Sequence, residues 1–221
     1  MGSSLPVTVT GRRERQKRDR GRRILSAARR LFERKGYAGT AMENVAERAG
    51  LAVGTLYNYF PSKDDLLLTI LRRESEEVAR AGERVLADPP EDPVAAVAAL
   101  ADLYIQIIGA DQRMLWRELF AASIAAPRTL GARLFDLDRQ LIAQFESMTR
   151  KLMELGRLGA EVDPARAAGL FYGICLTWGI AFSISDSMSA DTMRHEVAES
   201  VRMTVRGLLP PVAKEIDHEA R

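Results

Sequence analysis

The sequence predicts an all-α protein, with an N-terminal three-helix helix-turn-helix domain followed by a larger helical bundle. Three observations predict it. Apolar residues recur every three or four positions, the spacing of one helical face. No stretch shows the strict alternation of a half-buried strand. Glycine, proline and capping residues cut the chain into helix-length segments.

The charge is unevenly placed. A net charge of +2 over 221 residues conceals 14 Lys/Arg against 5 Asp/Glu in residues 12–63, and 18 against 25 in residues 64–221. A balance of +9 facing one of −7 is the footprint of a nucleic-acid-binding head on an acidic body. At 47% hydrophobic the chain can bury a sizeable core. One cysteine, Cys175, argues against a disulfide framework and for a reducing, cytoplasmic setting. The N-terminus lacks the apolar core of a secretory signal.

Residues 1–19 are expected to be a disordered basic arm, 20–66 the helix-turn-helix domain and 67–221 a helical domain, to which the family resemblance given below assigns effector binding and dimerisation. Residues 12–23, RRERQKRDRGRR, carry eight basic and two acidic side chains. They form either an arm that reaches phosphates or a minor groove, or a solubilising tail. The first helix follows, with Ile24, Ala27, Ala28, Leu31 and Phe32 on one face and Gly36 at its end.

Residues 40–63 read as two short helices joined by a tight turn. Thr40 and Glu43 have capping-box spacing. Met42, Val45, Ala46 and Ala49 share a face, and Gly50 suits a left-handed C-cap. Val53, Leu56 and Phe60 are the inward positions of the second helix, read as 53–59, and Pro61 stops it. Gly54, Thr55, Asn58 and Tyr59 point away, with Tyr57 at the flank. Asn pairs with an adenine edge, and Thr reaches a thymine methyl or a base acceptor. Tyr57 and Tyr59 carry hydroxyls that reach phosphates, although Tyr57 is equally readable as bundle packing. Ser62 and Asp65 make a second capping-box pattern, and Lys63 at the head of the next helix can hold a phosphate.

The run GTLYNYFPSKDDL, preceded by TAMENVA and by a helix ending FERKGY, resembles the N-terminal domain of the TetR family of transcriptional regulators. The likeness covers about residues 20–70. It implies a homodimeric repressor that binds double-stranded DNA and is released by a small apolar or amphipathic effector, with no cofactor. By position, Thr40, Tyr57, Tyr59 and Lys63 would contact the DNA backbone, while Val53, Gly54, Thr55 and Asn58 would lie nearest the bases. One departure stands out. Many relatives cap the recognition helix with Ser or Thr, whereas this chain has Ala52, which accepts no N–H bond.

The rest reads as helices in sequence. Residues 63–87 form a long one with Leu67, Ile70, Leu71, Val78 and Val85 buried, closed by a proline-rich loop at 88–93. Residues 93–109 and 111–126 follow, the latter ended by Pro127. A helix over about 129–155 ends at Gly156 and Gly159, and Asp163-Pro164 restarts the chain as N-cap and N1. Residues 167–185 carry no charge. They are read as a helix buried on every side rather than a membrane span, with Gly169 and Gly173 allowing close approach of a neighbouring helix or a second subunit. The last helix covers about 191–208. The resemblance implies that the last two long helices pair with their copies in the dimer.

Tyr104, Met114, Trp116, Phe120, Phe145, Met148, Phe171, Cys175 and Trp178 are either ordinary core or the lining of an effector pocket. Arg117 and Glu118 are either its polar anchors or surface charges. His195, His218 and Cys175 have no metal-ligand spacing, and no motif pairs an acid with a base, so no catalytic residue or metal site is expected. A helical small-molecule-binding protein or enzyme, and a sequence-indifferent architectural DNA-binding protein, are the alternative readings.

Overall fold

The computed structural model describes residues 9–109 and 112–210. Among these residues there are nine α-helices and no strand: α1 (Val9–Lys35), α2 (Met42–Ala49), α3 (Val53–Tyr57), α4 (Lys63–Ala87), α5 (Pro93–Ile105), α6 (Arg113–Ala125), α7 (Ala132–Glu154), α8 (Pro164–Ile184) and α9 (Ala190–Arg206). A π-helical turn, Pro127–Gly131, leads into α7. The all-α expectation holds.

The helices form two compact units. The first comprises the chain up to Arg73 together with Met114–Leu134, and the second comprises Glu74–Arg113 with Phe135 onward. This division lies beyond the expected 66/67 boundary, because the first core needs more than three helices. Leu66, Leu67, Leu68, Ile70 and Leu71 of α4 are buried with Ile24, Phe32, Val45 and Leu56. From α6, the Glu118 carboxylate accepts the Ala38 N–H at 2.8 Å, and Arg133 pairs with Asp65 at 2.7 Å. Glu118 is thus neither a pocket anchor nor an idle surface charge, since it holds the turn after α1.

In the second unit, α5, α8 and α9 pack mutually. Val97, Leu100, Phe145, Met148, Phe171, Phe182, Val197 and Val201 make its core. Arg113 donates to the carbonyls of Ser185 and Met188 and lies 3.9 Å over the Phe182 ring, which pins the α8–α9 loop.

Several local expectations are met in detail. Ser62 Oγ accepts the Asp65 N–H at 3.1 Å and donates back to the Asp65 carboxylate at 2.7 Å, which opens α4. That bond and Arg133 hold the Asp65 carboxyl below the usual range. Gly50 ends α2 at φ 65°, where a side chain would be strained. Asp163 caps α8 with Pro164 at N1.

Others are corrected. The arm expected to be disordered over residues 1–19 is helical from Val9, within α1. Residues 1–8 lie outside the described residues. Its Arg, Lys, Gln and Glu side chains favour helix, and Asp19 pairs with Arg22 one turn on. The Thr40–Glu43 capping box does not form. The N-cap of α2 is Ala41, without a side-chain bond, and the Thr40 hydroxyl donates instead to the Gly36 carbonyl at 2.8 Å. α5 ends at Ile105 rather than residue 109.

With Arg166 in its first turn and no charge after it, α8 is long and apolar enough to cross a membrane by length and composition. It is not buried on every side. Ala167, Ala168, Phe171, Cys175, Gly179 and Phe182 face the core, while Leu170 and Ile184 are 55% and 64% exposed. A Cβ placed on Gly169 or Gly173 would meet nothing within 4 Å, so no helix of the same chain fills the space these glycines leave.

Candidate functional site

The helix-turn-helix is built from the inside outward. Leu56 is fully buried and Phe60 nearly so, and they plug α3 onto α1 and α2. Between them the chain completes only five helical residues, Val53–Tyr57, rather than the seven expected. Ala52 sits at the N-cap with no side-chain bond, as the sequence implies. Arg23 of α1 donates to the Ala49 carbonyl, which locks the end of α2 and the turn leading into α3.

Val53 corrects its inward assignment: it is 37% exposed and lies on the outer face with Gly54, Tyr57 and Asn58. In so short a helix Leu56 and Phe60 reach the core and Val53, at the very start, does not. Thr55 and Tyr59 are half-buried at the edges. None of the side chains of Thr55, Tyr57, Asn58 and Tyr59 makes a hydrogen bond with another described residue. Their polar atoms are therefore unspent.

Thr40 and Lys63 are placed differently. Thr40 is 1% exposed and its hydroxyl is engaged with Gly36, so its side chain offers no surface to a nucleic acid. The Lys63 ammonium donates to the carbonyls of Tyr37 and Thr40 at 2.7 and 3.0 Å and lies 4.2 Å from the centre of the Tyr37 ring. The Tyr37 hydroxyl donates in turn to Asp64. Burial, and then the Asp64 carboxylate, push the Tyr37 phenol well above its usual range. Lys63 is thus the clamp of the α1–α2 loop, and it keeps one N–H for another acceptor. Charge-assisted bonds of this kind are worth about 1.5–3 kcal/mol. Lys63→Met is expected to lower the urea unfolding midpoint of the protein, by about 2 kcal/mol of stability. An unchanged midpoint would leave Lys63 no structural part.

The residues expected to line an effector pocket fall in both units. Met114, Trp116 and Phe120 belong to the first unit, where Trp116 and Phe120 stack at 5.6 Å and Met114 is exposed. The other six belong to the second. Phe145, Met148, Phe171 and Cys175 are fully or nearly fully buried core, with Phe145 and Phe171 in ring contact at 5.8 Å. Burial pushes the Cys175 thiol up to about 12, which makes it inert. Trp178 donates to Ser200 of α9 at 3.1 Å. An open pocket of about 380 Å³ lies elsewhere in the second unit, lined by residues such as Asp163, Arg166, Leu170 and Leu208, and by none of the nine.

Sequence reasoning missed a polar group in the second unit. Asp138 of α7 accepts a hydrogen bond from Tyr172 of α8 at 2.8 Å, beside Tyr104 of α5. The 34 positions between Asp138 and Tyr172 carry no pattern that would pair them.

Residues 24–70 match the family model described as bacterial regulatory proteins, tetR family. The repressor KstR of Rhodococcus jostii is 48% identical over 66 residues, which are 30% of this chain and 31% of KstR. The chain thus spans about a third of the length of that relative. The regulator RutR of Escherichia coli O157:H7 is 27% identical over 92% of this chain and 97% of its own. Among solved structures, FadR of Bacillus subtilis in complex with stearoyl-CoA superposes with a TM-score of 0.68 at 16% identity, over 84% of this chain and 98% of that one.

Proposed function

We propose, from the match of residues 24–70 to the tetR family model, that the chain is a TetR-family protein and a cytoplasmic, homodimeric transcriptional repressor released from its operator by a small molecule. The observation that carries the DNA reading is the outer face of α3. Gly54, Thr55, Tyr57 and Asn58 are uncharged and next to a locked turn, and the last three make no side-chain hydrogen bond with another described residue. Such a face reads base edges by hydrogen bonds and supplies little of the affinity. The affinity comes from cations. The basic turns of α1 run up to Arg23, which is held against the end of α2. Lys63 adds its remaining N–H. Thr40 supports the loop rather than touching a phosphate.

The open face of α8, with Leu170 and Ile184 exposed, and the exposed Met203 of α9 support a dimer through these helices. Two copies would then present their α3 helices to major grooves about one turn, roughly 34–36 Å, apart. An effector that binds the DNA-incompetent form more tightly depopulates the bound one. The likeness of fold to FadR of Bacillus subtilis, solved in complex with stearoyl-CoA, supports an effector site in the helical body.

A gel-shift titration against the promoter beside the protein's own gene, at several salt concentrations, tests the reading. Binding is expected to fall steeply with salt. Asn58→Ala is expected to weaken operator binding by about 1–3 kcal/mol and to leave random-duplex binding unchanged. Equal affinity of the unaltered protein for operator and random duplex would instead favour an architectural protein. Absence of binding to any duplex by folded dimer would sink the regulator reading.

A further inference from the structure

Three helices of the second unit bring polar atoms to one place in an otherwise apolar core. The Tyr172 hydroxyl of α8 donates to Asp138 of α7. The Tyr104 hydroxyl of α5 lies close enough to act on the same carboxylate. The rings of Tyr104 and Tyr172 meet edge to face at 5.9 Å and 76°. Phe135, one turn before Asp138, meets Tyr172 at 6.3 Å and 80°. Tyr104 is 7% exposed, Asp138 and Tyr172 are half-buried and Phe135 is exposed, so the group is recessed and open on one side.

The group lacks a positive charge. Among the described residues no Lys, Arg or His side chain acts on Asp138. Its neighbour Arg139 is an exposed side chain turned to Asp136, at 3.7 Å. The other groups facing the carboxylate are the two phenols and, behind them, the neutral Cys175 thiol. A carboxylate placed for stability would have a guanidinium or several N–H donors, and an ordinary core would have none of these polar atoms. Here burial outweighs the two hydroxyls and pushes the Asp138 carboxyl up to about 6. The aromatic rings add the negative potential of their faces to that of the carboxylate.

We propose that Tyr104, Asp138 and Tyr172, walled by Phe135, form a subsite for an organic cation, a molecule carrying an alkylated or primary ammonium group. The ammonium replaces the missing countercharge and the rings take its alkyl substituents. The subsite rests on the effector-responsive reading above, and it gives that reading a ligand class. Because the cation favours the ionised carboxylate, binding expels a proton below pH 6 and weakens as the pH falls.

The probes are choline and its uncharged isostere 3,3-dimethyl-1-butanol, titrated calorimetrically into the full-length protein. Saturable choline binding, at least about tenfold tighter than the isostere and weaker at pH 5 than at pH 7.5, is the expected result. Asp138→Asn is expected to erase the preference for charge. Tyr172→Phe, which keeps the carboxylate, is expected to retain it at lower affinity. Equal binding of the two probes, an undiminished preference in Asp138→Asn, or no choline binding at millimolar concentration would overturn the subsite. The operator gel shift separates the two readings. Choline bound at Asp138 without effect on the operator complex supports the subsite and counts against effector release. Release by other small molecules with no choline binding leaves the regulator reading standing and removes the subsite.

Discussion

If the proposed dimer forms through α8, Gly173→Glu is expected to give a folded monomer and to weaken operator binding at least about a hundredfold. The argument starts from the open side of α8. Gly169 and Gly173 stand one turn apart, flanked by the exposed Leu170, Thr177 and Ile184, and no charge interrupts the face. Glycines at this spacing let a partner helix come close, toward the short end of the 8–10 Å range of helix separations. A carboxylate there would be buried without a partner, which costs several kcal/mol. In a two-fold interface the substitution occurs twice, so the cost doubles. The single chain tolerates it, because a Cβ at residue 173 meets nothing within 4 Å. Helical content should therefore be unchanged by circular dichroism while sedimentation shows half the mass. The loss of operator affinity then follows from the loss of linkage between two half-sites. A variant that stays dimeric at micromolar concentration would remove α8 from the interface.

The second large effect concerns stability and has an unusual sign. Asp138→Asn is expected to stabilise the unliganded protein at pH 7 by about 2 kcal/mol, and by at most about 3. The folded carboxyl has been raised from 3.8 to about 6, so the folded state holds its proton longer than the unfolded chain does. Below pH 4 both states are protonated and no penalty exists. As the pH rises through 6 both become ionised, and the folded state bears the full cost of a buried charge. The gain from Asn should therefore grow between pH 4 and 6, level off near 7 and vanish at acid pH. Urea midpoints of both proteins across that range check it. A less stable Asn variant at pH 7 would mean that a cation already neutralises the carboxylate. The wild-type protein therefore gives up stability to keep this charge, and a bound ammonium returns it.

Much of the fold was legible because local chemistry and packing agree. Both ends of α4 follow from Ser62–Asp65 and the proline-rich loop, and Gly50 and Asp163-Pro164 mark their helix ends for stated steric reasons. What was not legible depends on choices that neighbours make. The Thr40 hydroxyl could accept the Glu43 N–H or donate to the Gly36 carbonyl, and the second bond formed. Val53 has a core-type side chain, but α3 is too short to turn it inward. In α8 apolar residues lie all round, so composition could not say which side the chain covers and which it leaves open. The site divides the same way. The outer residues of α3 were legible from spacing, since an uncharged polar face between buried anchors is a local pattern. Asp138 and Tyr172 were not, since a contact between separate helices leaves no periodicity.

The division of labour within α3 has a consequence for how this regulator can change over evolutionary time. Leu56 and Phe60 hold the helix in place, and Arg23, Lys63 and Ser62 hold what surrounds it. Thr55 and Asn58 make no side-chain hydrogen bond with another described residue. Substitutions at those two positions exchange one operator preference for another without drawing on the domain's margin of stability, which for natural proteins is small. A duplicated copy of the gene could thus drift to a new operator in single steps, each through a folded intermediate, while the rest of the molecule stays as it is.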